Sequence, residues 1–309
     1  DPANPVVRSS ISLSYTPRHI WISGSTLGVI VGTELKLYTV DIDQTLTLSA
    51  THDNDGRLVA LNVAGGYRFS LCIRYNSDLL VFGKNDHGQL GTGDTTQRKS
   101  PTLIGTSTWK AIAAGYNHSL GIRGDNKLFA WGNNSYGQLG TGDTDEYISP
   151  TGIGSCTWKI IAAGRSHSLG IRADDKLYAW GLNGGGQLGD GTTIDRTSPT
   201  SIGSCTWKAI AGGEYHSLGI RGDDRLLAWG DNYYGQLGDG TRTMRKSPTL
   251  IGTSTWKAIA AGSYHSLGIR GDDKLYAWGR NDAGQLGDGT CTDRNSPRLI
   301  GSCTWKAIA

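Results

Sequence analysis

Four histidines, His118, His167, His216 and His265, recur at a constant 49-residue step. Imidazoles repeated in this way invite a metal-ring reading. A metal site, however, needs its ligands within about 2 Å of one ion. Equivalent positions in successive repeats point around a circle, so each is expected to be a buried imidazole bonded to backbone, with no metal and no cofactor. Catalysis needs a singular constellation of nucleophile, base and orienting group, whereas nearly every His, Asp and Ser in a regular strand here occurs four or five times. The unrepeated His19, His52, His87 and Cys291 lie in degraded repeats or loops without a partner motif. The chain therefore reads as non-enzymatic. Asp53-Asn54-Asp55-Gly56 resembles the start of a calcium loop, but Asn62 stands where the bidentate Glu belongs, and a turn is expected.

Arg-Gly-Asp begins at Arg123, Arg221 and Arg270, and one copy reads Arg172-Ala173-Asp174. Gly and Asp are ordinary turn residues, so these tripeptides read as hairpin turns. Cys156, Cys205 and Cys303 share one repeat position. Bridging needs Cα atoms within about 7 Å, which separate repeats do not offer, so free thiols are expected. That argues against a disulfide-stapled secreted domain. Lys110, Lys159, Lys208 and Lys257 form one ring of like charge, and Arg123, Arg172, Arg221 and Arg270 another. Repeated Asp near the same hairpins offsets them, giving a solvated rim.

The 309 residues include 46 Gly, 10 Trp and 13 Tyr but only three Phe and one Met, and 18 % are charged. Such aromatic content excludes a disordered chain, and so much Gly excludes a helical bundle. No stretch approaches the ~20 apolar residues of a membrane span. A net charge of +3 makes no case for nucleic acid or an anionic membrane. The start, Asp1-Pro2-Ala3-Asn4-Pro5, has no initiator Met and no signal pattern, and reads as processed or incomplete.

The elements that must position these residues follow from the repeat. Gly-Gln-Leu-Gly begins at Gly88, Gly137, Gly186, Gly235 and Gly284. Trp109, Trp158, Trp207, Trp256 and Trp305 keep the step, as do Trp131, Trp180, Trp229 and Trp278 and the prolines Pro101, Pro150, Pro199, Pro248 and Pro297. A period of this length marks an array of supersecondary units. Each unit reads as four short strands: A over 109–114, B over 119–123, C over 127–131 and D over about 102–104, with a Pro opening strand D at the sheet edge. Four-stranded antiparallel sheets repeated radially make a β-propeller, and the whole chain, 1–309, reads as one such domain.

At the ends the copies wear out. Residues 60–81 form a copy in which Phe69 replaces the His, with Phe82 replacing the Trp of strand C just beyond. His19 to Val40 reads as a degraded A-B-C set, and Ser9 to Tyr15 as a strand D. Ser296 to Ile300 is a further strand D, and Thr304 to Ala309 starts a new strand A. The count is six blades (9–59 degenerate, 60–309 regular) plus an incomplete seventh shared by both chain ends. By this reading about 30 residues of that blade lie beyond Ala309.

The motifs A-G-x-x-H-S, L-x-A-W-G and N-x-x-G-Q-L-G resemble the regulator-of-chromosome-condensation repeat. The resemblance is clear over 60–309 and weaker over 9–59. It implies a seven-bladed propeller closed by one blade built from both ends. Members include an exchange factor for the GTPase Ran that docks on chromatin, plant ultraviolet-B photoreceptors, ubiquitin-ligase domains, and bacterial and viral proteins. A similar secreted propeller inhibits β-lactamases. The photoreceptor Trp positions are Tyr116, Arg165, Glu214 and Ser263 here, so that chromophore is missing. The constant step from Gly88 to Gly284 leaves no room for the exchange factor's hairpin wedge, which only Asp41 to Asp55 could supply.

Where copies disagree, two segments vary. One is the A–B dipeptide: Tyr116-Asn117, Arg165-Ser166, Glu214-Tyr215, Ser263-Tyr264. The other lies after strand C: Asn133 with Ser135-Tyr136, Leu182 with Gly184-Gly185, Asp231 with Tyr233-Tyr234, Arg280 with Asp282-Ala283. In an up-and-down sheet the A–B and C–D loops share one face. Tyr and Arg favour binding hot spots, and drift on exposed loops accounts for the same variation. The expected function is a rigid binding or scaffold propeller for a protein or glycan, through Tyr116, Asn117, Tyr136, Arg165, Glu214, Tyr215, Tyr233, Tyr234, Tyr264 and Arg280. Alternatives are a structural component of a cell surface or virion, assembling through the incomplete blade, and a guanine-nucleotide exchange factor. A surface or virion location is preferred to a cytoplasmic one.

Overall fold

Every described element is a strand, as expected of segments that alternate apolar and small residues between Gly-rich turns. The computed structural model describes residues 63–74 and 76–308. Upstream it describes the strands β1 (His19–Ser23), β2 (Thr26–Val31), β3 (Glu34–Thr39), β4 (Thr51–His52) and β5 (Leu58–Val59). The chain divides into two compact units, Asp1–Leu61 and Asn62–Ala309. In the first, β1-β2-β3 is an antiparallel meander with His19 opposite Ile30 and Thr26 opposite Thr39, where an A-B-C set is expected. β4 and β5 form a short antiparallel pair. The expected strand at Ser9 to Tyr15, the turn at Asp53 to Gly56 and the side chains of His19 and His52 lie outside the described residues.

The second unit holds five four-stranded antiparallel blades. The first is β6 (Val63–Gly66), β7 (Phe69–Ile73), β8 (Leu79–Gly83) and β9 (Arg98–Leu103). The second is β10 (Trp109–Ala114), β11 (His118–Arg123), β12 (Lys127–Gly132) and the first half of β13 (Tyr147–Ala163). The 17-residue β13 crosses from strand D of one blade into strand A of the next. Two later strands do the same. The third blade continues with β14 (His167–Arg172), β15 (Lys176–Gly181) and β16 (Arg196–Gly212). The fourth continues with β17 (His216–Arg221), β18 (Arg225–Gly230) and β19 (Arg245–Ala261). The fifth closes with β20 (His265–Arg270), β21 (Lys274–Gly279) and β22 (Arg294–Thr304).

Strands A to C match their expected positions within a residue, but two expectations are corrected. Strand D begins earlier, so Pro101 and its equivalents sit inside the strand instead of opening it. The register skips there, from Ala130 opposite Thr151 to Gly132 opposite Tyr147, so Pro150 rides in an irregularity and needs no ladder hydrogen bond. Residues 305–308 form no strand. A strand exists by pairing, and only the first bond of the pattern, Trp305 N to Asp273 O at 2.8 Å, is made. Trp305 is 41 % exposed, whereas Trp109, Trp158, Trp207 and Trp256 are buried.

The core lies between blades. Leu120, Ile122, Leu128, Leu139 and Ile153 of the second blade pack against Trp158 and Trp180 of the third, and the same set recurs at the next interfaces. A fully buried side chain of this kind contributes about 1.5–3 kcal/mol. The indole needs a residue without a side chain beneath it: a Cβ on Gly170 would sit 2.5 Å from Trp158 Cζ3.

Candidate binding face

The repeated histidines are structural, though not bonded to backbone as expected. His118 Nε2 lies 3.0 Å from Ser168 Oγ of the next blade, His167 Nε2 3.0 Å from Ser217 Oγ, and His216 Nε2 2.9 Å from Ser266 Oγ. Each serine also donates to a glutamine carbonyl, as Ser168 does to Gln138 O at 2.7 Å. The serine must therefore accept from His, which assigns the Nε2–H tautomer. The ring reaches across the blade junction to the neighbouring serine hydroxyl, and Nδ1 of His118, His167 and His216 meets no backbone or side-chain partner among the described residues. Burial pushes His118, His167 and His216 down to about 3 and lowers His265 less. His118, His167 and His216 thus each staple two blades.

The B–C turns account for the Arg-Gly-Asp copies. Asn126, Asp175, Asp224 and Asp273 take positive φ there. Arg123 lies 3.7 Å over Phe129 and 5.2 Å over Trp109, Arg221 pairs with Asp223 at 2.6 Å, and Arg270 bonds Tyr276 Oη at 2.7 Å. The lysine ring is met blade by blade, by Asp175, Asp224 and Asp273 at 2.6–2.7 Å and at Lys110 by Asn126 Oδ1 at 2.8 Å. The five cysteines are free, with Cys156, Cys205, Cys291 and Cys303 exposed.

On the other face, one buried asparagine per blade holds each C–D loop. Asn134 Oδ1 accepts Leu139 N at 2.9 Å, while its Nδ2 donates to Thr141 Oγ1 and Asp143 O. Asn183, Asn232 and Asn281 repeat this brace. Loop tips are thereby set in place while their side chains remain free to differ. The A–B loops are tied to one another around the inner ends of the blades: Tyr116 N donates to Arg165 O, Arg165 N to Gly213 O, and Glu214 N to Ser263 O. They ring a funnel of about 390 Å³ lined by Tyr67, Tyr116, Arg165, Glu214 and Ser263 over glycine walls.

Around that funnel the variable residues form two clusters of rings and cations. Arg68 lies over Tyr67, and Tyr67 stacks on Tyr116 with centroids 4.0 Å apart and planes at 8°. Arg165 covers Tyr116 at 4.9 Å, reaches Tyr215 at 5.6 Å and pairs with Glu214. Tyr264 meets Tyr234 at 5.3 Å, Tyr234 meets Tyr233 at 4.9 Å, and Arg280 lies over both Tyr234 and Tyr264. The hydrogen bond to Tyr67 raises the Tyr116 phenol, and burial raises that of Tyr264.

Of the ten expected contact residues, Tyr116, Arg165, Glu214, Tyr215, Tyr233, Tyr234, Tyr264 and Arg280 are brought together. Tyr136 stands apart on its loop tip, 43 % exposed. Asn117 is half-buried, and its carbonyl accepts Asn133 N at 2.9 Å. Tyr67 and Arg68 were missed, although aligning Phe69 with the repeated His places them at the variable dipeptide. Also missed was a cluster between the first two blades: Glu146 Oε1 lies 2.7 Å from His87 Nδ1 and 2.6 Å from Asn133 Nδ2. The contact joins loop tips of neighbouring blades, which spacing within one repeat does not reveal.

Comparison with known proteins fits this architecture. A 50-residue stretch is 44 % identical to the zebrafish (Danio rerio) E3 ubiquitin-protein ligase MYCBP2, covering 16 % of this chain and 1 % of that protein. Human WBSCR16 superposes with a TM-score of 0.73 at 19 % identity, over 97 % of this chain and 88 % of that one. Yeast RCC1 (Prp20), solved bound to Kap60, gives 0.73 at 21 %, over 93 % and 75 %. No helix among the described residues is long and apolar enough to cross a membrane. The regulator of chromosome condensation (RCC1) repeat matches at 76–122, 125–171, 174–220, 223–269 and 272–309, and a second model of the repeat matches at 109–138, 158–187, 207–236 and 256–285. With more than half its length so matched, the chain belongs to the RCC1 repeat family.

Proposed function

We propose that this chain is a non-enzymatic binding propeller that docks a protein partner through its A–B and C–D loops. The observation that carries the reading is the pair of ring-and-cation clusters, Arg68 to Tyr215 and Tyr233 to Arg280, with Glu214 facing both Arg165 and Tyr264, built from the positions the repeat leaves free to vary. Rigid tyrosines and arginines offer large contact area at small entropic cost. On the opposite face Lys159, Lys208 and Lys257 are instead each neutralised by an aspartate of the same blade. The Prp20 structure, bound to Kap60, is a precedent for a protein partner on this architecture.

The test is site-specific photo-cross-linking in the source material, with the reactive residue placed at Tyr233 or at Lys208. Adducts from position 233 that vanish when Tyr116, Arg165 and Tyr234 are changed to Ala support the reading. Adducts from position 208 alone overturn it.

A further inference from the structure

Between the first and second blades, and again between the fourth and fifth, a C–D loop tip leans onto the next blade's loops on this face. Between the fourth and fifth blades Tyr234 occupies this slot, against Tyr264 at 5.3 Å with Arg280 5.1 Å from its ring. Between the first and second it is His87, 3.5 Å from Asn133. Between the second and third the residue at this position is Tyr136. Between the third and fourth it is Gly185, and the slot has no side chain.

Nothing in the backbone calls for that glycine. Neither Gly184 nor Gly185 takes a left-handed φ. A Cβ on Gly184 would meet nothing within 4 Å. One on Gly185 would meet Gln187 Oε1 at 3.2 Å, Tyr215 O at 3.6 Å and Asp231 Cβ at 3.7 Å. Gly185 N donates to Gln187 Oε1 at 2.8 Å, and Tyr136 N and Tyr234 N make the equivalent bond at 2.9 Å with full side chains in place. The loop geometry therefore accepts a tyrosine, and this blade omits it.

The walls of the empty slot define what fits. Tyr215 stands where Tyr264 supports Tyr234, and Asp231 replaces the cation Arg280. Asp231 Oδ2 accepts Gln236 Nε2 at 2.6 Å, and its other oxygen accepts no hydrogen bond from the described residues. Arg165, 5.6 Å from the Tyr215 ring, is ion-paired with Glu214, which offsets its charge. A group that stacks on a phenol ring and meets a carboxylate is a planar cation. Resting on the binding reading above, we infer that the Gly185 slot receives an arginine side chain of the partner, its guanidinium stacked on Tyr215 and hydrogen-bonded to Asp231.

The experiment is an NMR titration of the whole chain with the blocked peptide acetyl-Gly-Arg-Gly-amide, alongside its lysine and citrulline analogues and a neutral oligosaccharide. Saturable shifts at Gly184, Gly185, Tyr215 and Asp231 are expected, at least tenfold weaker with citrulline, which is planar but neutral. Asp231→Asn is expected to weaken binding about tenfold and Gly185→Tyr to abolish it. Both variants use groups that other blades tolerate at the matching loop, and an unchanged spectrum elsewhere verifies their fold. No response to the arginine peptide, equal binding by Gly185→Tyr, or a response to the oligosaccharide alone overturns the assignment. If these fail while cross-links from position 233 persist, the slot is wrong and the binding face stands. If the cross-links fail too, the face itself is wrong.

Discussion

A single histidine between two blades shows how tightly charge is controlled here. His167 is buried, donates through Nε2 to Ser217, and carries no charge at neutral pH because burial pushes it down to about 3. The unfolded chain takes up the charging proton near pH 6.5. Stability from His118, His167 and His216 is therefore complete above pH 6.5 and is lost as pH falls from there toward 3. At pH 5 each costs about 2 kcal/mol relative to pH 7. Denaturant midpoints measured from pH 7.5 to 4.5 should fall steeply, and His167→Phe should flatten the slope. Phenylalanine is the natural occupant at Phe69, so this variant has a precedent in the same fold. A pH slope unchanged by the substitution would contradict the assignment. The sequence displayed the histidine period but not its partner, because Ser168 meets His118 only once blades stand side by side.

At the scale of the element, the C–D loops carry a compensated exchange. The first two blades read Thr92-Gly93-Asp94 and Thr141-Gly142-Asp143, while the next three read Asp190-Gly191-Thr192, Asp239-Gly240-Thr241 and Asp288-Gly289-Thr290. Asn134 Nδ2 donates to Thr141 Oγ1 in one order, and Asn232 Nδ2 donates to Asp239 Oδ1 in the other, each at 3.1 Å. In both, a hydroxyl donates to the carboxylate at 2.7 Å. The second carboxylate oxygen accepts from Tyr147 or Arg245. Asp239→Thr alone should cost about 1–3 kcal/mol by stranding buried donors. Adding Thr241→Asp should restore most of it, which a double-mutant cycle in urea would show. A second test concerns strand B: Gly219→Ala places a methyl 2.5 Å from Trp207 Cζ3 and should cost roughly 1–3 kcal/mol in the same assay. Strand positions were legible because period-two burial and turn glycines are local signals. The early start of strand D was not, since its bulge around Pro150 depends on the partner strand. The empty slot was also hidden, because a loop glycine reads as a turn until its φ and surroundings are known.

For the second unit as a whole, the interfaces matter more than the blades, and the three interfaces from the second blade to the fifth are the same device used again. A Trp from strand A packs on the preceding blade, a His–Ser staple crosses the gap, and one long strand passes between them. Such an array behaves as a sum of unit stabilities and nearest-neighbour couplings. A lesion should then spread to adjoining blades and no further. Ser217→Ala leaves His167 Nε2–H without its acceptor, at a cost of about 1–3 kcal/mol. Hydrogen exchange should accelerate in β14 and β15 of the third blade and in β17 and β18 of the fourth. The first blade, β6 to β9, should keep its protection. Uniform acceleration across all five blades would mean that they open as one cooperative unit, and the nearest-neighbour account would fail. Acceleration confined to the fourth blade would mean that the staple carries no coupling, leaving indole packing alone to join the blades.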